Sequence, residues 1–117
     1  MIDYHKEIKS NLDNILPTHY ELFLHSKLAT PCISYMELSN IATEEGNTLG
    51  YSRIQYQIKV WGNDLGEIQT YAQKVDEVMR TLGFKRVGGA ELADPLSTLI
   101  QKILTYEALG LEQLGGQ

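Results

Sequence analysis

The stretch YSRIQYQIKVWGND, residues 51–64, decides how this chain folds. Apolar side chains fall at every second position and polar ones fill the positions between them: Ile54, Tyr56, Ile58 and Val60 against Arg53, Gln55, Gln57 and Lys59. Because successive side chains of an extended chain point to opposite faces, the alternation predicts a half-buried β-strand. Trp61 departs from it by placing a large aromatic side chain on the polar face.

A helix is predicted directly after this strand. Its apolar residues recur at spacings of three or four: Leu65, Ile68, Ala72, Val75, Met79 and Leu82. Asp64 can cap the first turn, and Glu67 can reach back in the manner of a capping box. Gly83 can take the left-handed conformation that ends a helix, with Phe84 folding back onto it.

Upstream of residue 51, the sequence predicts a short amphipathic helix followed by two strands. The helix stripe consists of Met1, His5, Ile8, Leu12 and Ile15. Asp3 is its expected cap, and Pro17 ends it because proline disfavours helical geometry in the preceding residue. The strands are THYELFLHS, residues 18–26, and CISYMELSNI, residues 32–41. The next residues, 42–50, form a predicted exposed loop containing Glu44 and Glu45.

The secondary structure of the C-terminal third is ambiguous from the sequence. FKRVGGAEL, residues 84–92, suggests a strand interrupted at Gly88 and Gly89 by a bulge. DPLSTLIQKILTYEALG, residues 94–110, has helical apolar spacing with Asp94 and Pro95 at its start, yet also many strand-favouring residues. Local rules lean slightly towards a helix. Runs of strands separated from helices indicate a single α+β domain, residues 1–110, and residues 111–117 are an expected flexible tail.

Composition narrows the class of protein. The chain has 117 residues, 43% of them hydrophobic and 21% charged, with 15 acidic and 10 basic residues and a net charge of −5. Affinity for nucleic acid through clustered Lys and Arg is therefore not expected. No apolar run is long enough to span a membrane, and the N-terminus lacks a signal-peptide pattern. Cys32 is the only cysteine, so no internal disulfide is expected and a reducing intracellular setting fits.

The residue pattern predicts no catalytic, cofactor-binding or metal site. His19 and His25 lie six residues apart on one strand, about 20 Å, which is too far to share a metal ion. The neighbouring pairs Glu44–Glu45 and Asp76–Glu77 are expected to be solvated. Cys32 has no adjacent base and is expected to be a structural thiol. Phosphate-binding loops, nucleophile elbows and zinc-protease motifs do not occur.

Aromatic residues suggest a contact surface instead. Seven tyrosines and one tryptophan lie among polar strand positions, and aromatic residues are enriched where proteins meet. The candidate subunit or partner contacts are Tyr35, Tyr56 and Trp61, together with Glu44 and Glu45. For Trp61 two explanations stay open, since either the first helix or a neighbouring subunit could cover its ring.

The order of motifs resembles the tail-terminator family of long-tailed bacteriophages, also called tail-completion or tail-to-head joining proteins. The segments that carry the resemblance lie within residues 15–108: LPTHYELF, PCISYMELSN, YSRIQYQIKVWG, LGEIQTYAQKVDEVMRTLGFKRV and LADPLSTLIQKILTYEAL. Their order and spacing carry the match, and no single signature residue does. The resemblance implies an α+β subunit with two helices packed on a mixed or antiparallel sheet of four to five strands. It also implies that STLIQKILTYEAL, residues 97–109, is a strand, against the local helical signal.

The functional implications of the resemblance concern assembly. Members of the family form a homo-hexameric ring on the finished tail tube, in some cases only there, and present a surface to the head-side connector. The expected partners are thus copies of the same chain, the tail tube protein and the connector, in the neck of the virion after assembly in the host cytoplasm. DNA would pass through without specific binding, with Glu44 and Glu45 as one guess for its lining. Two alternatives are another neck component, such as a connector or stopper, and a small-ligand regulatory domain with a ferredoxin-like sheet.

Overall fold

A computed structural model describes residues 3–21, 29–43, 51–93 and 98–111. In chain order its elements are α1 (His5–Leu12), β1 (Thr18–Tyr20), β2 (Cys32–Thr43), β3 (Tyr51–Gly62), α2 (Leu65–Thr81), β4 (Lys85–Ala93) and β5 (Ile100–Leu111). The strands form one sheet in the order β1-β2-β3-β5-β4, in which β1 is parallel to β2 and the other neighbours are antiparallel. Two helices and a mixed five-stranded sheet confirm the predicted α+β class.

The opening stretch forms β3, the central strand, which pairs with β2 on one side and β5 on the other. Its four alternating apolar side chains, Ile54, Tyr56, Ile58 and Val60, are completely buried. They face a core to which both helices contribute. The alternation in the sequence therefore identifies the face of the sheet on which the helices pack.

Both helices cover the same face. From α1, Ile8 and Leu12 enter the core, and the ring of His5 contacts the rings of Tyr20, Tyr35 and Tyr56. From α2 the buried residues are Ile68, Ala72, Val75 and Met79. Leu65, which the apolar spacing assigned to this stripe, is instead exposed because it lies in the first turn beyond the edge of the core.

Within the described residues, no helix covers the opposite side of the sheet, and we call it the helix-free face. The strand registers assign to it Cys32, Ser34, Met36, Ser39 and Ile41 of β2; Arg53, Gln55, Gln57, Lys59 and Trp61 of β3; Gln101, Ile103, Thr105, Glu107 and Leu109 of β5. A bulge between Glu37 and Ser39 shifts the alternation of β2 by one residue, so even-numbered positions lie on this face before the bulge and odd-numbered positions after it. Polar side chains thus dominate the middle of this face.

The ends of α2 follow the sequence signals. The Asp64 carboxylate accepts a hydrogen bond from the Glu67 backbone N–H at 3.0 Å, which confirms the predicted N-cap. At the other end Gly83 has φ +94°, and the N–H of Phe84 donates to the carbonyl of Met79 at 2.9 Å. This left-handed residue turns the chain so that Phe84 is buried against Tyr4 and Tyr56, edge to face.

The N-terminal elements are shorter than their patterns suggest. α1 begins at His5, whose backbone N–H donates to the Asp3 carboxylate at 2.9 Å, and it ends at Leu12 although Ile15 continues the stripe. β1 covers Thr18–Tyr20, and residues 22–26 of the predicted strand lie outside the described residues. Of the predicted exposed loop, residues 42–50, Ala42 and Thr43 belong to β2 instead, and residues 44–50 with Glu44 and Glu45 lie outside the described residues.

The C-terminal third is a hairpin of long strands. The register of β4 against β5 shifts between Arg86 and Gly88, which confirms the predicted bulge. β5 runs over Ile100–Leu111, so the slight helical preference of the local pattern was wrong and the strand implied by the resemblance is confirmed. Pairing on both sides with β3 and β4 favours the extended form for a segment rich in β-branched residues. Residues 94–97 and 112–117 lie outside the described residues.

We expect Gly83→Ala to lower the free energy of unfolding by about 1 kcal/mol, because a Cβ is strained at a positive φ although it meets open space there. Gly66→Ala is the matched control. This glycine lies in the first turn of α2, where an added methyl makes only ordinary contact, so it should leave stability equal or higher. Urea denaturation of both variants measures the difference, and equal effects of the two would contradict the role of Gly83.

Candidate contact surface

Trp61 lies on the helix-free face, near the end of β3. In the sheet it is opposite Cys32 of β2 and Gln101 of β5. α1 packs on the other face, so the explanation that the first helix covers Trp61 is wrong. The indole Nε1–H donates to the buried Ser34 Oγ at 2.9 Å, and the Lys59 ammonium lies 5.7 Å from the ring centroid. These contacts hold the ring against the sheet and leave it half-buried.

Apolar side chains extend from Trp61 towards the β4 edge. Leu92 of β4 is opposite Gln101, which is itself opposite Trp61, and Ala90 is opposite Ile103 one row further along the same face. Leu92 is 54% exposed. We call Trp61, Ala90, Leu92 and Ile103 the Trp61 patch. Diagonal neighbours on one face of a sheet lie within side-chain reach of each other, so these residues form one apolar area.

A second apolar group lies at the other end of the same face. Ile41 and Leu109 flank Arg53 in one row across β2, β3 and β5, and they are 57% and 66% exposed. We call these three residues the distal row. Arg53 and Trp61 are eight positions apart along β3, which corresponds to about 26 Å at the usual rise of a strand. Between them the β3 positions are Gln55, Gln57 and Lys59, so the two apolar groups are distinct.

Tyr35 and Tyr56 are not on a contact surface. Tyr56 is fully buried and Tyr35 nearly so, both under α1 on the helix-covered face. Their assignment as interface residues is therefore corrected, because the alternation that places Ile58 inside places these tyrosines inside as well. Glu44 and Glu45 lie outside the described residues. Of the five candidates, Trp61 is the one that the structure places on an accessible face.

Asp76 anchors a polar network that the sequence analysis missed. It was expected to be solvated, yet its carboxylate accepts from Tyr106 Oη at 2.9 Å and from the guanidinium of Arg80 at 2.9 Å. Arg86 lies within 3.4 Å of the same carboxylate. The network ties α2 to β4 and β5. The spacing of Asp76 and Arg80 by four residues was an available signal, whereas Tyr106 and Arg86 meet Asp76 only through the fold.

Burial changes the chemistry of several ionisable groups. It raises the pKa of the Cys32 thiol, which suits the expected structural role. Burial also raises the pKa of Tyr106, reinforced by its hydrogen bond to Asp76, and it raises the pKa of Tyr56, reinforced by the Glu37 carboxylate. Among the described residues, no group of three or more His, Cys, Asp or Glu side chains could hold a metal ion. No helix in that part of the chain is long and apolar enough to cross a membrane.

Comparison with known proteins does not assign the chain to a class. No protein-family model matches it, and no curated protein sequence matches it significantly. The resemblance to tail terminators therefore stays a prediction from the order and spacing of motifs.

Two buried tyrosines allow a paired test of how a hydrogen bond to a buried hydroxyl affects stability. We expect Tyr106→Phe to lower the free energy of unfolding by about 1–2 kcal/mol, because it removes a hydrogen bond to a charged carboxylate. The hydroxyl of Tyr56 finds no hydrogen-bond partner among the described residues, so Tyr56→Phe should raise stability by about 1 kcal/mol. Denaturant titration of each variant measures both effects. A loss of stability in Tyr56→Phe would reveal a partner for that hydroxyl.

Stability should also fall in alkaline solution. A tyrosine of the unfolded chain ionises near pH 10, whereas Tyr56 and Tyr106 keep their protons to higher pH in the folded state. Their contribution is therefore fully present below about pH 10 and is lost as the pH rises further, by up to about 1.4 kcal/mol per pH unit for each group. The decline measured between pH 9.5 and 11.5 should be shallower in Tyr106→Phe. An identical decline in wild type and variant would contradict this.

Proposed function

We propose that the protein is a structural component of a phage tail that ends growth of the tail tube and joins it to the head side. The observation that carries the proposal is the helix-free face, with the Trp61 patch at one end and the distal row at the other. This face offers exposed apolar side chains at both ends that another protein could contact. The order of motifs along residues 15–108 is what suggests this class of protein.

The geometry of this face suits repeated contact between copies. The Trp61 patch and the distal row are different surfaces, about 26 Å apart along β3. A contact that joins one surface of a subunit to a different surface of the next is heterologous, and it closes into a ring when the rotation permits. The rigid indole of Trp61, held by Ser34, is the kind of aromatic anchor that dominates interface energetics.

Ring formation explains how growth would stop. Each layer of a tube offers the surface to which the next layer binds. A terminator engages that surface on one side and offers a different one on the other, so further tube protein cannot add. Each contact can be modest, because several identical contacts engage together and raise the overall affinity. No covalent chemistry is required.

The charge of the chain is compatible with a channel through which DNA moves. The net charge is −5, and net negative charge opposes adhesion of a polyanion. The partners in this proposal are copies of the chain itself, the tail tube protein and the head-side connector, all within the neck of the virion.

The test is to polymerise the cognate tube protein with and without the purified chain, and to measure tube length and labelled tips by electron microscopy. Wild type should shorten the tubes and label one end of each. Trp61→Ala should stay folded and lose most of this activity, because it removes the anchor of the Trp61 patch while leaving the core intact.

Val60→Ala is the matched control for this test. Val60 is the neighbour of Trp61 on β3, but it is buried on the opposite face, under the helices. The substitution should lower stability by about 1–3 kcal/mol and leave end-labelling unchanged. Tubes that grow unchecked and unlabelled in the presence of wild type would overturn the proposal. Binding to the connector without binding to tubes would favour the other neck component.

A further inference from the structure

The two edges of the sheet differ in how their backbone groups are used. At β1 the Thr18 N–H donates to the Asp13 carboxylate at 3.0 Å, and the Thr18 carbonyl accepts from the Lys9 ammonium at 3.1 Å. The carbonyl of Pro17 accepts from the Ile33 N–H, so Thr18 is the residue whose backbone faces outward. A side chain of α1 and the side chain directly after this helix thus occupy the outward backbone groups of Thr18, which hinders another strand from pairing there.

The outer edge of β4 has no such protection in the described part of the chain. β4 is nine residues long and pairs with β5 on one side only. Every residue except Gly88 is exposed, including Val87 at 49% and Leu92. A strand edge of this length offers a row of backbone donors and acceptors to another strand.

Gly88 and Gly89 in this strand are not explained by the subunit's own packing. A Cβ at Gly88 would lie 3.8 Å from Thr105 Cβ, and one at Gly89 would lie 3.7 Å from the carbonyl oxygen of Ile103, both ordinary contacts. Gly83 is the glycine with a positive φ among the described residues, so β4 does not need glycine for its conformation. Glycine within a strand costs stability, and it often marks a place where another backbone comes close.

The charged residues of β4 can pair with those of a second β4 that runs antiparallel to it. Arg86 stands near the start of the strand and Glu91 near its end. Both lie on the helix-covered face, because Arg86 is opposite Tyr106 and Glu91 is opposite Lys102, two residues of β5 with the same orientation. A second copy of β4 laid antiparallel about a two-fold axis at Gly89 therefore places Arg86 of each copy opposite Glu91 of the other.

The same register also brings the remaining residues of β4 into compatible pairs. Gly89 meets Gly89 of the second copy on the axis, and Gly88 lies with the bulged Val87 opposite Ala90 of the second copy. Leu92 then lies beside the aliphatic stem of Lys85 of the second copy on the helix-free face. The bulge kinks the edge, so a strand without the matching irregularity would fit poorly.

We propose that the β4 edge is a homodimerisation site, at which two copies of the chain join their sheets through antiparallel β4–β4 pairing centred on Gly89. The occupant is a second copy because the pattern of Arg86, Gly88, Gly89 and Glu91 is complementary to its own reverse. A two-fold contact of this kind is isologous. It is separate from the ring contact of the proposed function, and neither depends on the other.

A charge-exchange experiment tests the dimer. Native mass spectrometry and sedimentation of the wild type should show a monomer–dimer equilibrium. Arg86→Glu alone places like charges opposite each other at both ends of the paired strands, as does Glu91→Arg alone. Each variant should weaken dimerisation about tenfold or more, because two attractive pairs become repulsive. An equimolar mixture of the two variants should recover dimers, since both junctions then pair opposite charges.

Two further measurements keep the test decisive if Arg86→Glu disturbs the Asp76 network. Gly89→Asp should preserve the subunit, judged by circular dichroism, because a Cβ makes only ordinary contacts there. It should weaken dimerisation, because it places two carboxylates directly opposite each other on the two-fold axis. In the wild type, amide exchange of β4 should slow as protein concentration rises, whereas exchange of β1 should not change. A wild type that stays monomeric up to about millimolar concentration, or a dimer indifferent to all three substitutions, overturns the proposal. Because the ring contact is separate, these variants should leave the end-labelling of tail tubes unchanged, so a failure of the dimer would leave the proposed function standing.

Discussion

The burial of one face of β3 is the constraint on which the rest of the structure depends. Its apolar side chains must all be covered on one face, and a sheet of this length needs both helices to cover them. α1 and α2 are consequently committed to the same side. The opposite side is left to polar residues along most of its length, so whatever the molecule binds with the flat of its sheet, it binds there.

The role proposed for Trp61 follows from this difference between the two faces of the sheet. On the helix-covered face a tryptophan would be one more core residue. On the other face its indole lies over a polar strand, fixed by Ser34 and next to Lys59, which pairs with Glu21. A large aromatic ring that is rigid, half-accessible and supplied with a satisfied N–H binds at little entropic cost. The same strand that builds the core therefore also carries the strongest candidate anchor.

Local sequence patterns were sufficient where a single element determined its own structure. β3 and α2 have unbroken periodicity and clear signals at their ends, so their positions could be predicted from residues 51–83 alone. Residues 100–111 could not, because their apolar spacing fits a helix and only pairing with β3 and β4 selects the strand. For Tyr35 and Tyr56, aromatic character suggested an interface, whereas the structure buries both, and for Tyr56 the alternation with Ile54, Ile58 and Val60 already indicated this. Asp76 shows the remaining limit, since its partners Arg86 and Tyr106 come from strands that only the tertiary fold brings to α2.

The occupied edge at β1 has a consequence for colloidal behaviour. Indefinite cross-β growth requires two open edges on every unit, one to receive a strand and one to offer the next. At Thr18, Lys9 and Asp13 occupy the outward backbone groups of one edge. A strand added there would have to displace both side chains, so growth of a larger sheet through β1 is disfavoured.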